Sequence, residues 1–184
     1  MYRIAATGHR PNKLFGYNLR HPSYYALGRI MRSFLLSRIQ AYGQLEAISG
    51  MALGTDQLYA LVALKLRDEG QNIRVIAMMP CRNQNAKWAS DEYWRNILSR
   101  ADESLIVTDA PYIPTCMQIC DRAMVDRADE MLTVWDGTPS GTANCVRYAQ
   151  KMGRKITNIM PEFKNSLSMV KSPTTDAKTG FSPR

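Results

Sequence analysis

Histidine is nearly absent from this chain: only His9 and His21 occur among 184 residues. Any soft metal site would therefore fall to the four cysteines, Cys81, Cys116, Cys120 and Cys145, and these form no CxxC pair. Cys116 and Cys120 can share a helix face, but two soft ligands do not complete a tetrahedral zinc site. The expectation is free thiols in a reducing cytoplasm, with no metal. Long apolar runs are also missing, and none approaches the roughly 18 residues of a membrane-spanning helix. Met1-Tyr2-Arg3-Ile4-Ala5 leads directly into a strand pattern rather than a signal peptide. Net charge is +8, yet no run of five or more basic residues exists. The cations are scattered, with a bias in the first quarter through Arg10, Lys13, Arg20, Arg29, Arg32 and Arg38. That excess favours an anionic partner, either nucleic acid or a phosphorylated small molecule. No basic–aromatic stripe of the kind that tracks single strands is visible along the sequence.

What is present is a repeated strand–turn–helix rhythm. Its clearest instance runs from Glu130 to Asn144 and continues into a helical pattern ending at Gly153. Val134 and Trp135 are strand residues bounded by Asp136-Gly137. Ser140 or Thr142 can cap the following helix, whose free N–H groups and partial positive charge suit a phosphate or carboxylate. Two similar turns lie upstream. Tyr2–Thr7 reads as a strand that ends in Gly8-His9-Arg10-Pro11, where glycine permits close approach and His9 and Arg10 supply donors. Leu45–Ser49 reads as a second strand leading to Gly50…Gly54-Thr55-Asp56. Thr55 or Asp56 occupies a capping position, while a carboxylate there also suits a ribose hydroxyl pair; the residues alone leave both readings open.

Between these turns, apolar spacing predicts a helix from a cap at Ser23 through Ile39, and a second helix ending near Gly70. Ile73–Met79 suits a buried parallel strand. Further elements follow as a helix over Asp91–Arg100, a strand over Ser104–Thr108, a helix over Thr115–Arg127 and a strand over Lys155–Ile159. Alternation of this kind predicts an α/β fold: one Rossmann-like domain over residues 1–163, mainly parallel sheet with helices on both faces. Residues 164–184 turn to Ser, Thr, Lys, Pro and Gly and are expected to form a flexible polar tail. In such a sheet, ligands bind beyond the carboxyl ends of strands, so the three loops should converge.

Several stretches resemble the SLOG superfamily, the Rossmann-like group that includes DprA and LOG proteins, and in particular its small YpsA-like members. They are Thr7-Gly8-His9-Arg10-Pro11 with Lys13-Leu14, Gly50…Gly54-Thr55-Asp56, Pro80…Gln84…Trp88, and Met124-Val125-Asp126-Arg127-Ala128-Asp129 running into Trp135-Asp136-Gly137…Ser140-Gly141-Thr142-Ala143-Asn144. The resemblance covers roughly residues 1–160. It implies a nucleotide or nucleotide-derived ligand held by Thr7, Gly8, His9 and Arg10, by Gly50, Gly54, Thr55 and Asp56, by Gln84, and by Trp135, Asp136, Gly137, Ser140, Gly141, Thr142 and Asn144. It implies no further cofactor, a cytoplasmic setting and a homodimer or higher homo-oligomer.

LOG phosphoribohydrolases and nucleoside deoxyribosyltransferases carry a glutamate after a Gly-Thr pair like Gly141-Thr142. Here that position is Cys145, and a thiol does not replace carboxylate chemistry there without rearrangement. Asp56 and Asp136 are the candidate substitutes. Three functions stand: a module that senses or sequesters a nucleotide-derived ligand such as an NAD- or ADP-ribose-like molecule or a signalling nucleotide, an N-glycosidic hydrolase or transferase, and DNA binding of the DprA kind. The loops and the missing glutamate favour the first.

Overall fold

A computed structural model of the chain describes residues 1–170. Six parallel strands form one sheet in the order β4-β3-β2-β1-β5-β6. They are β1 (Tyr2–Gly8), β2 (Leu45–Ser49), β3 (Ile73–Met79), β4 (Glu103–Ile106), β5 (Glu130–Val134) and β6 (Lys155–Asn158). The helices are α1 (Pro22–Tyr42), α2 (Thr55–Asp68), α3 (Glu92–Arg100), α4 (Cys116–Arg127), α5 (Gly141–Lys151) and α6 (Met160–Val170). Successive strand residues point to opposite faces, and both faces are covered. Ile4 and Ala6 join Leu132 and Val134 beneath α1, α2 and α6. Ala5 joins Ile48, Ile76 and Met131 beneath α4 and α5. Burial on both sides explains why β3 reads as a continuous apolar run apart from Arg74. Among the described residues no helix is long and apolar enough to cross a membrane.

Local chemistry moves some expected boundaries. The cap of α1 is His21, whose ring accepts the Ser23 N–H at 3.2 Å, with Pro22 at the first helical position. Ser23 therefore lies inside the helix. The α2 cap is Gly54, with no side-chain cap bond, so Thr55 and Asp56 belong to the first turn rather than capping it. Helix α6 crosses the expected tail boundary at Lys164. Phe163 is buried and Leu167 packs against the main core. The remainder of the expected tail, residues 171–184, lies outside the described residues.

The amino end of the sheet is bound by ion pairs. Glu130 is fully buried at the start of β5 and meets Arg38 at 2.8 and 2.9 Å. Burial alone would raise its carboxyl pKa, but hydrogen bonds from Arg38 and Thr157 outweigh this and hold it below the usual range. Glu46 pairs with Arg74 and Arg127, and Arg127 also reaches Glu103. Removing one member of such a pair would strand a buried charge. The carboxyl ends are built differently. The chain leaves β1 to one side for β2, β3 and β4, while β5 pairs on the other side with Thr7 against Thr133 and Gly8 against Val134. That reversal opens a crevice between β1 and β5, where open α/β sheets bind ligands.

Candidate functional site

The loop after β1 is locked to the start of α2. The His9 carbonyl accepts the Thr55 hydroxyl at 3.1 Å and the Thr55 N–H at 3.4 Å. A side chain at Gly8 would begin 2.5 Å from the Thr55 hydroxyl oxygen. Gly54 has φ +96, and a Cβ there would meet the His9 carbonyl at 2.8 Å. These glycines admit neighbouring protein, whereas the sequence had pointed to ligand approach.

The β5 loop is tied to the same point. His9 Nε2 lies 2.8 Å from Asp136 Oδ1 and 3.3 Å from the Asp136 backbone nitrogen. The Thr138 hydroxyl and N–H both donate to Asp136 Oδ1, at 2.7 and 3.0 Å, and hold its carboxyl pKa well below the usual carboxylate range. Lys13 Nζ donates to the Thr138 hydroxyl at 3.0 Å. A polar chain thus runs from His9 through Asp136 and Thr138 to Lys13.

Ser140 caps α5. Its hydroxyl accepts the Ala143 N–H and its carbonyl accepts the Asn144 N–H, each at 3.2 Å. The N–H groups of Gly141 and Thr142, the first two of the helix, have no acceptor within it. They open onto a cavity of about 250 Å³ at the β1/β5 crevice. Thr7, Gly8, His9 and Arg10 line it from β1, Gly50 and Asp56 from the β2 side, and Ser140, Gly141 and Thr142 from α5. The sequence-predicted convergence of three loops is therefore present.

Other expected residues stand outside this cavity. Gln84 bridges, donating to the Gly50 carbonyl at 2.9 Å and accepting the Trp94 indole N–H at 3.3 Å. Gly54 and Thr55 support the β1 loop from below. Trp135 donates its indole N–H to the Thr138 carbonyl at 2.8 Å, and with Asp136 and Gly137 it lines a separate depression beside α6. Asn144 is exposed, hydrogen-bonded to Arg147, and lines another depression with Tyr148.

The cavity also contains groups that the sequence reading did not place there: Asn12, Lys13, Met117, Cys120 and above all Asp121. Asp121 projects from α4, one position past the buried Cys120. Burial pushes the Asp56 carboxyl up to about 6 against the opposing charge of Arg10. Burial and then the charge of Asp56 push the Asp121 carboxyl up to about 7. The cavity is thus polarised, with Lys13 and the α5 terminus at the β5 side and two hard-to-ionise carboxyls facing Arg10. Cys145 is buried beneath it, and burial raises its thiol pKa, so it offers no thiolate at neutral pH. Among the described residues no three His, Cys, Asp or Glu side chains are grouped to hold a metal ion.

A model of the YspA SLOG family matches residues 4–162. The uncharacterized SPbeta prophage-derived protein YoqJ of Bacillus subtilis (strain 168) is 26% identical over 166 residues, covering 82% of this chain and 97% of the relative. A UPF0398 protein of Bacillus anthracis (strain A0248) is 26% identical over 158 residues, covering 84% and 85%. Among solved structures, DNA processing protein A of Streptococcus pneumoniae superposes with a TM-score of 0.58 at 11% identity, covering 93% of this chain and 57% of that one. The chain thus spans little more than half of that structure. The Helicobacter pylori protein of the same name, which binds single-stranded DNA, superposes with a TM-score of 0.57 at 18% identity, covering 92% and 81%. At these identities the likeness is one of fold.

Proposed function

This chain belongs to the YspA SLOG family, and we propose that its switch-point cavity binds a nucleotide or nucleotide-derived ligand as a sensing or sequestering module. The observation that carries this reading is the polarised cavity itself. Unspent N–H groups of Gly141 and Thr142, with Lys13 nearby, suit phosphate oxygens. Asp56 and Asp121 suit hydroxyl donors such as those of ribose. A ligand with phosphate at one end and a sugar at the other satisfies both. Purified protein incubated with a panel of nucleotides, NAD and ADP-ribose, followed by mass spectrometry of bound and free fractions, tests it. Retention of an intact compound is the expected result; no retention of any member overturns the reading.

A second reading is favoured by the Asp56–Asp121 pair. Two carboxyls that titrate near neutrality in one cavity suit general acid–base work. Cleavage or transfer at an N-glycosidic bond would then use these aspartates in place of the glutamate absent at Cys145. Appearance of free base in the same experiment selects this reading.

A further inference from the structure

Away from the cavity, the outer face of α1, α2 and α3 carries two adjoining grooves. The larger, about 480 Å³, lies between α1 and α2 over a floor of Leu58, Leu61 and Val62. Arg20, Arg29, Arg32 and Lys65 form its rim. The second, about 400 Å³, is lined by Tyr17, Lys87 and Trp88. Leu19 and Tyr93 line both, which makes the surface continuous, and no carboxylate lines either groove. Tyr17 is 71% exposed and Tyr25, on the α1 side, 63%. Trp88 and Tyr93 are half-buried, each with part of its surface open. Glu69, outside the groove, pairs with both Arg32 and Lys65 and offsets one of their two charges. Arg20, Arg29 and Lys87 have no carboxylate partner among the described residues.

We infer that this face binds single-stranded nucleic acid, with bases stacked on Tyr25, Tyr93, Trp88 and Tyr17 and phosphates on Arg20, Arg29 and Lys87. Three unpaired cations among apolar rings repel a second copy of the same face and attract a polyanion. An acidic peptide would satisfy the cations, but a strand of bases also occupies four rings spread along both grooves. Stacking on rings tolerates any base, while a duplex keeps its bases inside and presents none. The site is separate from the cavity and stands or falls independently of nucleotide binding there.

Fluorescence anisotropy of labelled oligothymidylate on the full chain tests this, across a salt series. Each phosphate neutralised on a single strand contributes about −0.7 to the log–log salt slope, so three cations give about −2. Tyr25→Ala should weaken binding about tenfold through loss of one stacking platform. Arg20→Gln with Arg29→Gln should reduce the slope to about −0.7 while leaving retention of mononucleotides in the cavity unchanged. None of these three side chains makes a side-chain hydrogen bond or ion pair among the described residues, so the variants should fold. Failure to bind the oligonucleotide at low salt overturns the inference. So does binding that a mononucleotide displaces, because the strand would then occupy the cavity. A polyglutamate peptide that competes as well as the oligonucleotide, with Tyr25→Ala without effect, would assign the face to an acidic protein segment instead.

Discussion

His9 Nε2 and Asp136 Oδ1 stand 2.8 Å apart and join the ends of two strands that are adjacent in the sheet but far apart in the chain. Asp136 also receives both donors of Thr138, which in turn receives Lys13. Replacing Asp136 with Ala removes the acceptor that aligns the β5 loop with the cavity. The loop and Lys13 then lose the anchor that sets them beside the cavity, so nucleotide affinity should fall about tenfold. The residue is exposed, and the melting temperature should move little. Unchanged affinity in a calorimetric titration would separate this bond from binding.

Asp56 costs the fold stability at neutral pH. Its carboxyl pKa rises from 3.8 to about 6 on burial. Below 3.8 both folded and unfolded chains carry the proton, and burial adds no ionisation cost. As pH rises towards about 6 the unfolded chain ionises first, so stability falls across this window and stays lower above it. Asp56→Asn should therefore raise unfolding free energy at pH 8 by about 2–3 kcal/mol, with the gain shrinking to nothing near pH 4. The same substitution should weaken nucleotide binding about tenfold, because an amide accepts more weakly than a carboxylate. Chemical denaturation at the two pH values, paired with a binding titration, reads both effects.

Two glycines should respond in opposite ways to alanine. At Gly54 a methyl group would meet the His9 carbonyl at 2.8 Å in a backbone conformation of φ +96. Gly54→Ala should destabilise by about 2–4 kcal/mol through strain and clash. At Gly141 a methyl group meets nothing within 4 Å. Gly141→Ala should leave stability within about 0.5 kcal/mol of the parent and reduce nucleotide affinity by intruding where a phosphate sits. Melting curves and a titration on both variants distinguish a structural from a ligand-facing glycine.

Truncation should show a sharp boundary inside the last helix. Ending the chain after residue 163 removes Leu167, which packs against the main core. Leu167 is partly buried, so that should cost about 1 kcal/mol, below the roughly 1.5–3 kcal/mol for full burial of a leucine. Ending it after residue 170 removes only a polar segment without apolar period and should leave the melting temperature unchanged.

The sheet was legible in the sequence because its central strands are buried on both faces. Ile73–Met79 stands out as an apolar run apart from Arg74, and the structure gives Leu45–Ser49 and Ile73–Met79 the bounds read from the sequence. Helix starts were less legible. An imidazole at His21 caps α1, and a glycine at Gly54 does so for α2, neither offering the usual hydroxyl or carboxylate signal. Asp121 was hidden because it lies mid-helix with no turn chemistry around it, although its place beside the buried Cys116, Cys120 and Met124 stripe was the available clue. The end of the domain had a signal too, since Phe163 and Leu167 share helical spacing. The aromatic and basic residues of the α1–α3 face lie between residues 17 and 93, and only packing of the helices brings them together.

The ion pairs at the amino end of the sheet also sort charge across the molecule. Glu46, Glu103, Asp129 and Glu130 are spent on Arg3, Arg38, Arg74, Arg127 and Lys155 at that edge. That end is close to electrically quiet, so much of the positive excess is carried elsewhere on the surface. A protein whose field is silent on one side and positive on another behaves as a vane. Such a field would draw a diffusing anion toward the cationic helical face before any contact forms, and dissolved salt would weaken that pull long before it disturbs the buried pairs.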